Sequence, residues 1–232
     1  MKALSLLLLT FLLTRSARAQ FWIVSDKDGF VNVRDSANTR SRVKDTLYNG
    51  HFIFVFRFEE QVGSWMKIEY SHHGKDREGY VYHDRLIPIA HYDSIPLRKS
   101  SDNIATYSRD SVRVIVTQQK FDKTKHRLTF ADAGSAQLVE IDGEQYLGTD
   151  GEVPKREYKS IEIFVGNRRI SLPRAAFANL FEPTIYNTEI RYNRAEDIFY
   201  IHAENSDGAG AYDVIWRIVK GVYTDRDIEL DF

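Results

Sequence analysis

Hydrophobic and polar residues alternate along much of this chain with the two-residue period that is typical of β-strands. In His51–Phe58, phenylalanine occupies every second position on one face, while Ile53 and Val55 occupy the other face. Both faces of this strand therefore need cover, and we expect one to line a core and the other to be covered by a second domain. A strip of aromatic side chains that binds a ligand is the alternative interpretation.

Turn-forming residues separate the predicted strands. Asp142-Gly143 and Gly166-Asn167 each lie between two strand-like runs, and Lys220-Gly221 joins the last two strands. Such pairs favour tight hairpins, because both central residues of a type I′ turn need positive φ. Ser71–Glu78 is polar and charged, and we expect it to form a long exposed loop between two strands.

One short helix is predicted among the strands. Pro173 suits its first turn, a few apolar residues form one face, and Glu182-Pro183 ends it. The number and close spacing of the strands predict an all-β protein. Its C-terminal part is expected to be an antiparallel β-rich domain, either a sandwich or an open barrel.

Residues 1–19 have the features of a secretory signal peptide. Lys2 provides a positive start, Leu6–Leu13 is a short apolar run, and Ala17-Arg18-Ala19 is a small-x-small cleavage site before Gln20. The run is shorter than the about 20 apolar residues that span a bilayer, and an uncleaved membrane anchor is the alternative. We therefore expect an exported protein, periplasmic or extracellular, without a stable membrane anchor.

Composition sets the remaining domain boundaries. We assign residues 20–90 to a first domain and residues 111–232 to the C-terminal domain. Residues 91–110 contain Pro96 and the polar run Arg98–Asn103 with little hydrophobic periodicity, which predicts a linker, with an irregular crossover as the alternative.

The chain contains no cysteine, which excludes disulfides, a lipid anchor on cysteine and a cysteine nucleophile. Residues 1–19 hold three basic residues and no acidic one, so their removal changes the formal net charge from −1 to −4. A mildly acidic chain without a long basic stripe is not expected to bind nucleic acid.

Four motifs follow one another in the first domain: Gly29–Asp35 (G-F-V-N-V-R-D), Leu47–Gly50 (L-Y-N-G), Ser64–Ile68 (S-W-M-K-I) and Gly79–Tyr82 (G-Y-V-Y). In this order they resemble the bacterial SH3-like (SH3b) domain, whose members carry L-N-V-R-x-G-P, L-x-x-G, W-x-K-V and G-Y-V. Ser36-Ala37 stands where many members have Gly-Pro.

The resemblance implies a small SH3-like β-barrel over residues 20–90. Such a module recognises ligands through exposed aromatic side chains and the polar loops beside them, and some family members attach to cell-wall peptides. The candidate ligand-binding residues here are Tyr48, Trp65, Tyr80 and Tyr82. Trp65 is equally interpreted as a core residue, because large aromatic rings are often buried.

Two acidic, glycine-rich loops are the candidate binding elements of the C-terminal domain, Gly148–Glu152 and Asn205–Gly210. Such loops supply oxygen ligands to hard cations, and paired acids such as Asp150 and Asp207 also serve glycoside hydrolysis. Neither loop has the spacing of a calcium-binding loop, so ordinary turns are the alternative. We select Asn205 and Asp207 as ligand-binding candidates, because the nearby glycines leave the backbone open to a ligand.

No metal site, cofactor or catalytic set is predicted. His72 and His73 are adjacent and so point in different directions, and neither an H-x-H nor an H-x-x-x-H spacing occurs. No G-x-S-x-G run is present for a serine nucleophile. The basic cluster in Lys120–Arg127 is interpreted either as a contact for an anionic polymer or as a solvated turn.

Together these features predict an exported, non-enzymatic binding protein of the bacterial cell envelope. Its SH3-like module would contact cell-wall peptide or glycan, or an envelope protein. Two alternatives stand beside this hypothesis. One is a glycan- or peptide-cleaving hydrolase that uses carboxylates of the C-terminal domain, and the other is a small exported inhibitor or immunity-type protein.

Overall fold

The computed structural model of the protein describes residues 20–55 and 61–230. The predicted signal peptide, and also Phe56 and Phe58, lie outside the described residues. The described residues form antiparallel β-sheets joined by turns and short 3-10 helices, which confirms the all-β class. Within them, no helix has the length and apolar character needed to cross a bilayer.

The chain divides into two compact units. The first unit comprises Val24–Leu86, and the second comprises Ile87–Phe232 together with Phe21–Ile23.

The N-terminal sheet follows the alternation of the sequence. Its strands are β1 (Gln20–Val24), β2 (Phe30–Arg34), β3 (Val43–Tyr48), β4 (Phe52–Val55), β5 (Gln61–Val62), β6 (Trp65–His72), β7 (Lys75–Tyr82) and β8 (Leu86–Pro88). Their order is β3-β2-β7-β6-β4-β1-β8, with β5 paired to β6. Within the described residues this path ends at β3 and β8 without returning on itself, so a closed barrel is not observed.

One face of this sheet carries the core of the first unit. Val31 and Val33 of β2, Ile68 of β6 and Val81 of β7 are almost fully buried. Because side chains two positions apart lie on the same side of a strand, these residues form one continuous apolar surface. All four residues of β4 are buried, so both of its faces are covered as the sequence predicts.

The prediction of a long loop at Ser71–Glu78 is wrong. β6 and β7 instead form one long hairpin whose pairing continues to His72 and Lys75. The turn consists of His73 and Gly74 alone, with φ of 56° and 69°, and positive φ at both positions is what a type I′ turn requires. The strand ends are polar on both faces, so their sequence lacks the alternation that marks a strand.

Gly79 lies where β7 approaches β2 closely. A Cβ atom at this position would be 2.4 Å from Val33 Cγ1 and 3.0 Å from the carbonyl oxygen of Arg34. The Gly79→Ala variant is therefore expected to lose about 2 kcal/mol of unfolding free energy, because neither a stiff valine nor the backbone can give way freely. Urea denaturation followed by circular dichroism measures this loss.

Ser71→Ala on the neighbouring strand is the control for Gly79→Ala, since substitutions of partly exposed polar residues usually change stability by less than about 0.5 kcal/mol. If both variants were as stable as the unmodified chain, the close approach of β2 and β7 would be refuted.

The second unit is a sandwich of two five-stranded sheets. One sheet, in the order β10-β11-β12-β15-β16, contains β10 (Leu97–Ser100), β11 (Ile104–Arg109), β12 (Val112–Lys120), β15 (Arg156–Val165) and β16 (Arg168–Ser171). The other, in the order β20-β19-β18-β17-β9, contains β9 (Asp93–Ser94), β17 (Thr188–Asn193), β18 (Ile198–Asn205), β19 (Tyr212–Val219) and β20 (Val222–Glu229). A separate two-stranded sheet consists of β13 (Leu128–Phe130) and β14 (Leu138–Ile141).

The main core of the second unit lies between these two sheets. Val114 and Ile163 of one sheet belong to the same buried cluster as Phe199, Val214 and Trp216 of the other. All five have essentially no exposed surface, and burial of this kind is the dominant stabilising contribution in a chain without disulfides.

Two of the predicted hairpins are confirmed. Gly166-Asn167 joins β15 to β16, and Lys220-Gly221 joins β19 to β20. At Asp142-Gly143 both residues have positive φ, as predicted, but the turn is followed by a single bridge rather than by a strand.

The predicted short helix is a 3-10 helix of four residues, Arg174–Phe177. A longer α-helix would need the carbonyl oxygen of Ala176 as an acceptor within the helix. Instead, that oxygen accepts hydrogen bonds from Trp216 Nε1 at 2.7 Å and from Arg226 Nη1 at 2.9 Å. The carbonyl oxygen of Ala176 is therefore occupied by tertiary hydrogen bonds, and the helix does not continue.

The linker predicted at 91–110 is corrected, because β9, β10 and β11 lie in this segment and pair within the two large sheets. Ala105 and Tyr107 of β11 belong to the main core. β10 is an edge strand whose four residues are all exposed, which is why its sequence shows no hydrophobic period.

Candidate functional site

The pairing of β2, β6 and β7 brings three of the four aromatic candidates in the first unit together. Trp65 pairs with Tyr82, and Tyr80 pairs with Lys67 of β6 and with Arg34 of β2. Paired residues, and residues two positions apart on one strand, lie on the same side of a sheet. These side chains therefore share a face, opposite to the buried valines.

Tyr48 lies on this side as well. It pairs with Phe30, which is on the same side of β2 as Arg34. We call the surface that consists of Tyr48, Trp65, Tyr80 and Tyr82 the aromatic face.

Exposure differs along the aromatic face. Tyr48 is 68% exposed, and its ring centroid lies 6.5 Å from that of Phe30. Trp65 is only 8% exposed, and its ring lies 4.3 Å from the ring of Tyr82. The interpretation of Trp65 as a core residue is thus confirmed, and its ring supports the half-buried Tyr82.

The charge on this face comes mainly from Arg34. Its Nη1 donates to the carbonyl oxygen of Ser41 at 2.6 Å, and no carboxylate pairs with it among the described residues. Lys67, by contrast, pairs with Glu78 at 2.8 Å. Arg34 is therefore a cation beside Tyr80 for which the described part of the chain supplies no carboxylate.

The histidines of the β6–β7 hairpin belong to a network around Asp45. His72 Nδ1 lies 2.8 Å, Arg77 Nη1 3.2 Å and the Tyr70 hydroxyl 3.4 Å from Asp45 Oδ2. Burial, together with the charge of Asp45, raises the pKa of Tyr70 to about 12. The ring of His73 stacks on His72 at 4.0 Å. The side chains of His72, Tyr70 and Arg77 therefore contact Asp45, and His73 contacts His72.

The two candidate loops of the second unit line a single cavity of about 1130 Å³. Ser206 Oγ donates to the carbonyl oxygen of Gly148 at 2.7 Å, and a Cβ atom on Gly210 would lie 2.9 Å from the backbone of Gly148 and Thr149. Glycine at position 210 is what lets the loops come this close. We call the cavity the acidic pocket, because its lining includes Asp102, Asp150, Glu152, Glu182 and Asp207.

One of these five acids is committed to the fold. Glu182 Oε1 accepts hydrogen bonds from the backbone N–H groups of Lys155 and Arg156. The guanidinium of Arg156 donates to the backbone carbonyl of Asp102 at 3.0 Å. The other four carboxylates have no hydrogen-bond or ion-pair partner among the described residues, so they are available to a ligand.

Asn205, selected from the sequence as a binding residue, is only 2% exposed and is not part of the pocket lining. Its Oδ1 accepts from the Tyr158 hydroxyl and from the Thr184 N–H, both at 2.9 Å. The side chain therefore holds Thr184, which does line the pocket, in place. Asp207 is exposed and lines the pocket directly.

Sequence reasoning missed Gln118, Glu182 and Asp102, which come from three separate segments. The sequence contained a signal for Gln118, because this residue continues the alternating positions of Val112 and Val116 along β12. In the structure Gln118 is 6% exposed. A polar residue at an inward position of an alternating strand needs an internal partner or a ligand.

The predicted basic cluster is partly neutralised. His126 Nδ1 lies 2.7 Å from Asp142 Oδ2, and His126 Nε2 lies 2.9 Å from Glu157 Oε2. Lys125 pairs with Asp122 at 3.1 Å. This segment therefore presents less positive charge to an anionic polymer than its sequence indicates.

His202 of β18 is buried among carboxylates. Its Nε2 lies 2.7 Å from Asp213 Oδ1, and its Nδ1 lies 3.9 Å from Glu189 Oε2, which is an ion-pair distance rather than a hydrogen bond. Burial by itself would lower the pKa of His202, but the hydrogen bond to Asp213 and the charges of both acids outweigh it and raise the pKa to about 9.

His202, Glu204 and Asp213 could in principle hold a metal ion, because their ligand atoms lie within 4.8 Å of one another. A protonated imidazole has no lone pair left for a metal. His202 and Asp213 form a buried ion pair, and a metal ion would have to displace the imidazole proton to bind there.

These features define an all-β protein with an aromatic face on its first unit and an acidic pocket in its second. Comparison with protein-family models, with curated proteins and with solved structures finds no match for the chain.

Proposed function

We propose that this chain is an exported, non-enzymatic binding protein of the bacterial cell envelope, and that its first unit is an SH3-like module that contacts cell-wall peptide. The observation that carries the proposal is the register that puts Tyr80 and Tyr82 on the side of the sheet opposite the buried valines, with the buried ring of Trp65 against Tyr82. Tyr48 is on the same side of the sheet, on β3, through its pairing with Phe30.

The chemistry of the aromatic face fits an extended peptide. Aromatic side chains contribute a large contact area with little loss of rotamer freedom, and they accept a peptide backbone laid across them. Arg34 beside Tyr80 would pair with a carboxylate of the peptide, because its guanidinium has no acidic partner among the described residues.

The SH3-like interpretation is supported by where its motifs fall. The first motif covers a turn and β2, the second ends β3, the third begins β6 and the fourth ends β7. The glycine of the fourth motif, Gly79, is the residue that permits β7 to approach Val33 of the first motif. The four motifs thus lie on strands of one sheet, and two of them are in close contact at Gly79 and Val33.

Removal of exposed rings tests the proposal. The double variant Tyr48→Ser, Tyr80→Ser is expected to bind purified cell wall about thirtyfold more weakly than the unmodified chain, because aromatic residues central to an interface contribute about 1 kcal/mol or more each and the two together about 2 kcal/mol. Co-sedimentation of the chain without residues 1–19 measures the bound fraction against wall concentration.

Phe130→Ser removes an exposed ring from the second unit and is expected to leave sedimentation unchanged. Equal weakening by both changes would indicate nonspecific adhesion, and a chain that stays wholly in solution would contradict the proposal.

A further inference from the structure

The acidic pocket has an excess of negative charge that the fold does not neutralise. Five carboxylates line it against two basic residues, Lys155 and Arg156. Arg156 is held by the carbonyl oxygen of Asp102, and Glu182 is held by two backbone N–H groups. The four remaining carboxylates are free of protein partners among the described residues, so the cavity favours a cation.

Gln118 independently indicates that the cation carries N–H donors. It is 6% exposed, it lines the pocket, and its Oε1 has no hydrogen-bond partner among the described residues. Its Nε2 donates to the carbonyl oxygen of Asp102. Because a carbonyl oxygen only accepts, the amide nitrogen must face Asp102, which fixes Oε1 as the group left over.

A buried carbonyl oxygen without a donor is uncommon in folded proteins and favours a ligand that brings an N–H. A metal ion would satisfy the carboxylates through oxygen coordination, but among the described residues the group of three possible ligands at metal-binding distance is His202, Glu204 and Asp213, which does not line this pocket. The pocket residues therefore match an ammonium group better than a metal ion.

We propose that the acidic pocket binds a ligand with a primary ammonium group, such as the side-chain amine of a basic peptide. Asp150 and Asp207 attract its charge from the two loops, and Gln118 Oε1 accepts one of its N–H groups. This goes beyond the function proposed above, because the pocket lies in the second unit and shares no residue with the aromatic face.

Acetylation provides a matched pair of probes. Nα-acetyl-lysine amide has a side-chain ammonium, and Nα,Nε-diacetyl-lysine amide has a neutral amide in its place. We expect the chain without residues 1–19 to bind the first at least tenfold more tightly than the second, measured by titration calorimetry at neutral pH and low salt.

Charge-matched variants separate the pocket from a general surface effect. Asp150→Asn with Asp207→Asn is expected to weaken binding of the ammonium probe at least fivefold, whereas Asp76→Asn with Asp132→Asn removes the same charge from exposed positions outside the pocket and should have little effect. Gln118→Leu should weaken the ammonium probe while the circular dichroism spectrum stays native.

Three results would overturn the inference: equal affinity for the two probes, equal weakening by the two double variants, or displacement of the ammonium probe by an equimolar amount of Ca²⁺. The cell-wall sedimentation experiment with Tyr48 and Tyr80 does not depend on any of them, so the two proposals can fail separately.

Discussion

The Asn205→Ala variant is expected to lose about 3 kcal/mol of unfolding free energy, because it leaves two donors without an acceptor and each such orphaned group costs about 1 to 3 kcal/mol. The Tyr158 hydroxyl is almost completely enclosed, and burial raises the pKa of Tyr158 so that it stays protonated and needs an acceptor. The Thr184 N–H loses the same oxygen. Urea denaturation at neutral pH measures the change.

Asn187→Ala is the matched control for Asn205→Ala. Asn187 is exposed and its side chain donates to Glu204 at 2.9 Å, so its replacement should cost less than about 0.5 kcal/mol. Tyr158→Phe should lie between the two, since it removes one hydroxyl and leaves Thr184 bonded to Asn205. Equal stability of the two alanine variants would contradict the structural role assigned to Asn205.

Stability of the second unit is expected to fall as the pH rises from about 6.5 to about 9. The pKa of His202 is raised from an ordinary value near 6.5 to about 9 in the folded chain. A raised pKa means that the folded state holds the proton more tightly, so the stabilisation is complete below pH 6.5 and is lost as the pH passes through 9. At 1.36 kcal/mol per pKa unit, the loss is about 3 kcal/mol.

The groups around His202 set the sign of this effect. Asp213 and Glu189 stabilise the imidazolium, Arg191 pairs with Glu189 from the other side, and the ring of Phe21 packs edge-on at 5.2 Å. Urea denaturation at pH 6 and at pH 9.5 gives the difference in unfolding free energy. The His202→Gln variant should be less stable at pH 6 and should show little change between the two values; a variant with the full pH dependence would show that another group is responsible.

The candidate site could be predicted only in part. Glycine-rich acidic loops were recognisable because turn chemistry is local, and Asp207 lines the pocket that these loops form. Asn205 lies in the same kind of glycine-rich loop, but its side chain is buried and accepts hydrogen bonds from Tyr158 and Thr184. These two partners lie on segments distant in the sequence. Composition around a residue indicates where the backbone turns, but it does not indicate on which side of the turn the side chain lies.

The aromatic face illustrates the same division. Aromatic residues in the first unit could be chosen from the motifs alone, but whether they meet depends on which residue of β6 pairs with which residue of β7. A register shift of one residue would move every side chain of a strand to the other face. That Tyr80, Tyr82 and Trp65 lie on one side of the sheet is a result of that pairing.

The all-β class, the hairpins at Gly166-Asn167 and Lys220-Gly221, and the inward row of β12 were determined by the sequence alone, because backbone dihedral preferences and two-residue alternation act between neighbours in the chain. The tertiary structure decided the rest: that residues 91–110 join the sandwich, that the helix after Pro173 stops after four residues, and that Gln118 and two loops share one cavity. These features depend on hydrogen bonds and burial between segments far apart in the sequence, which no local pattern specifies.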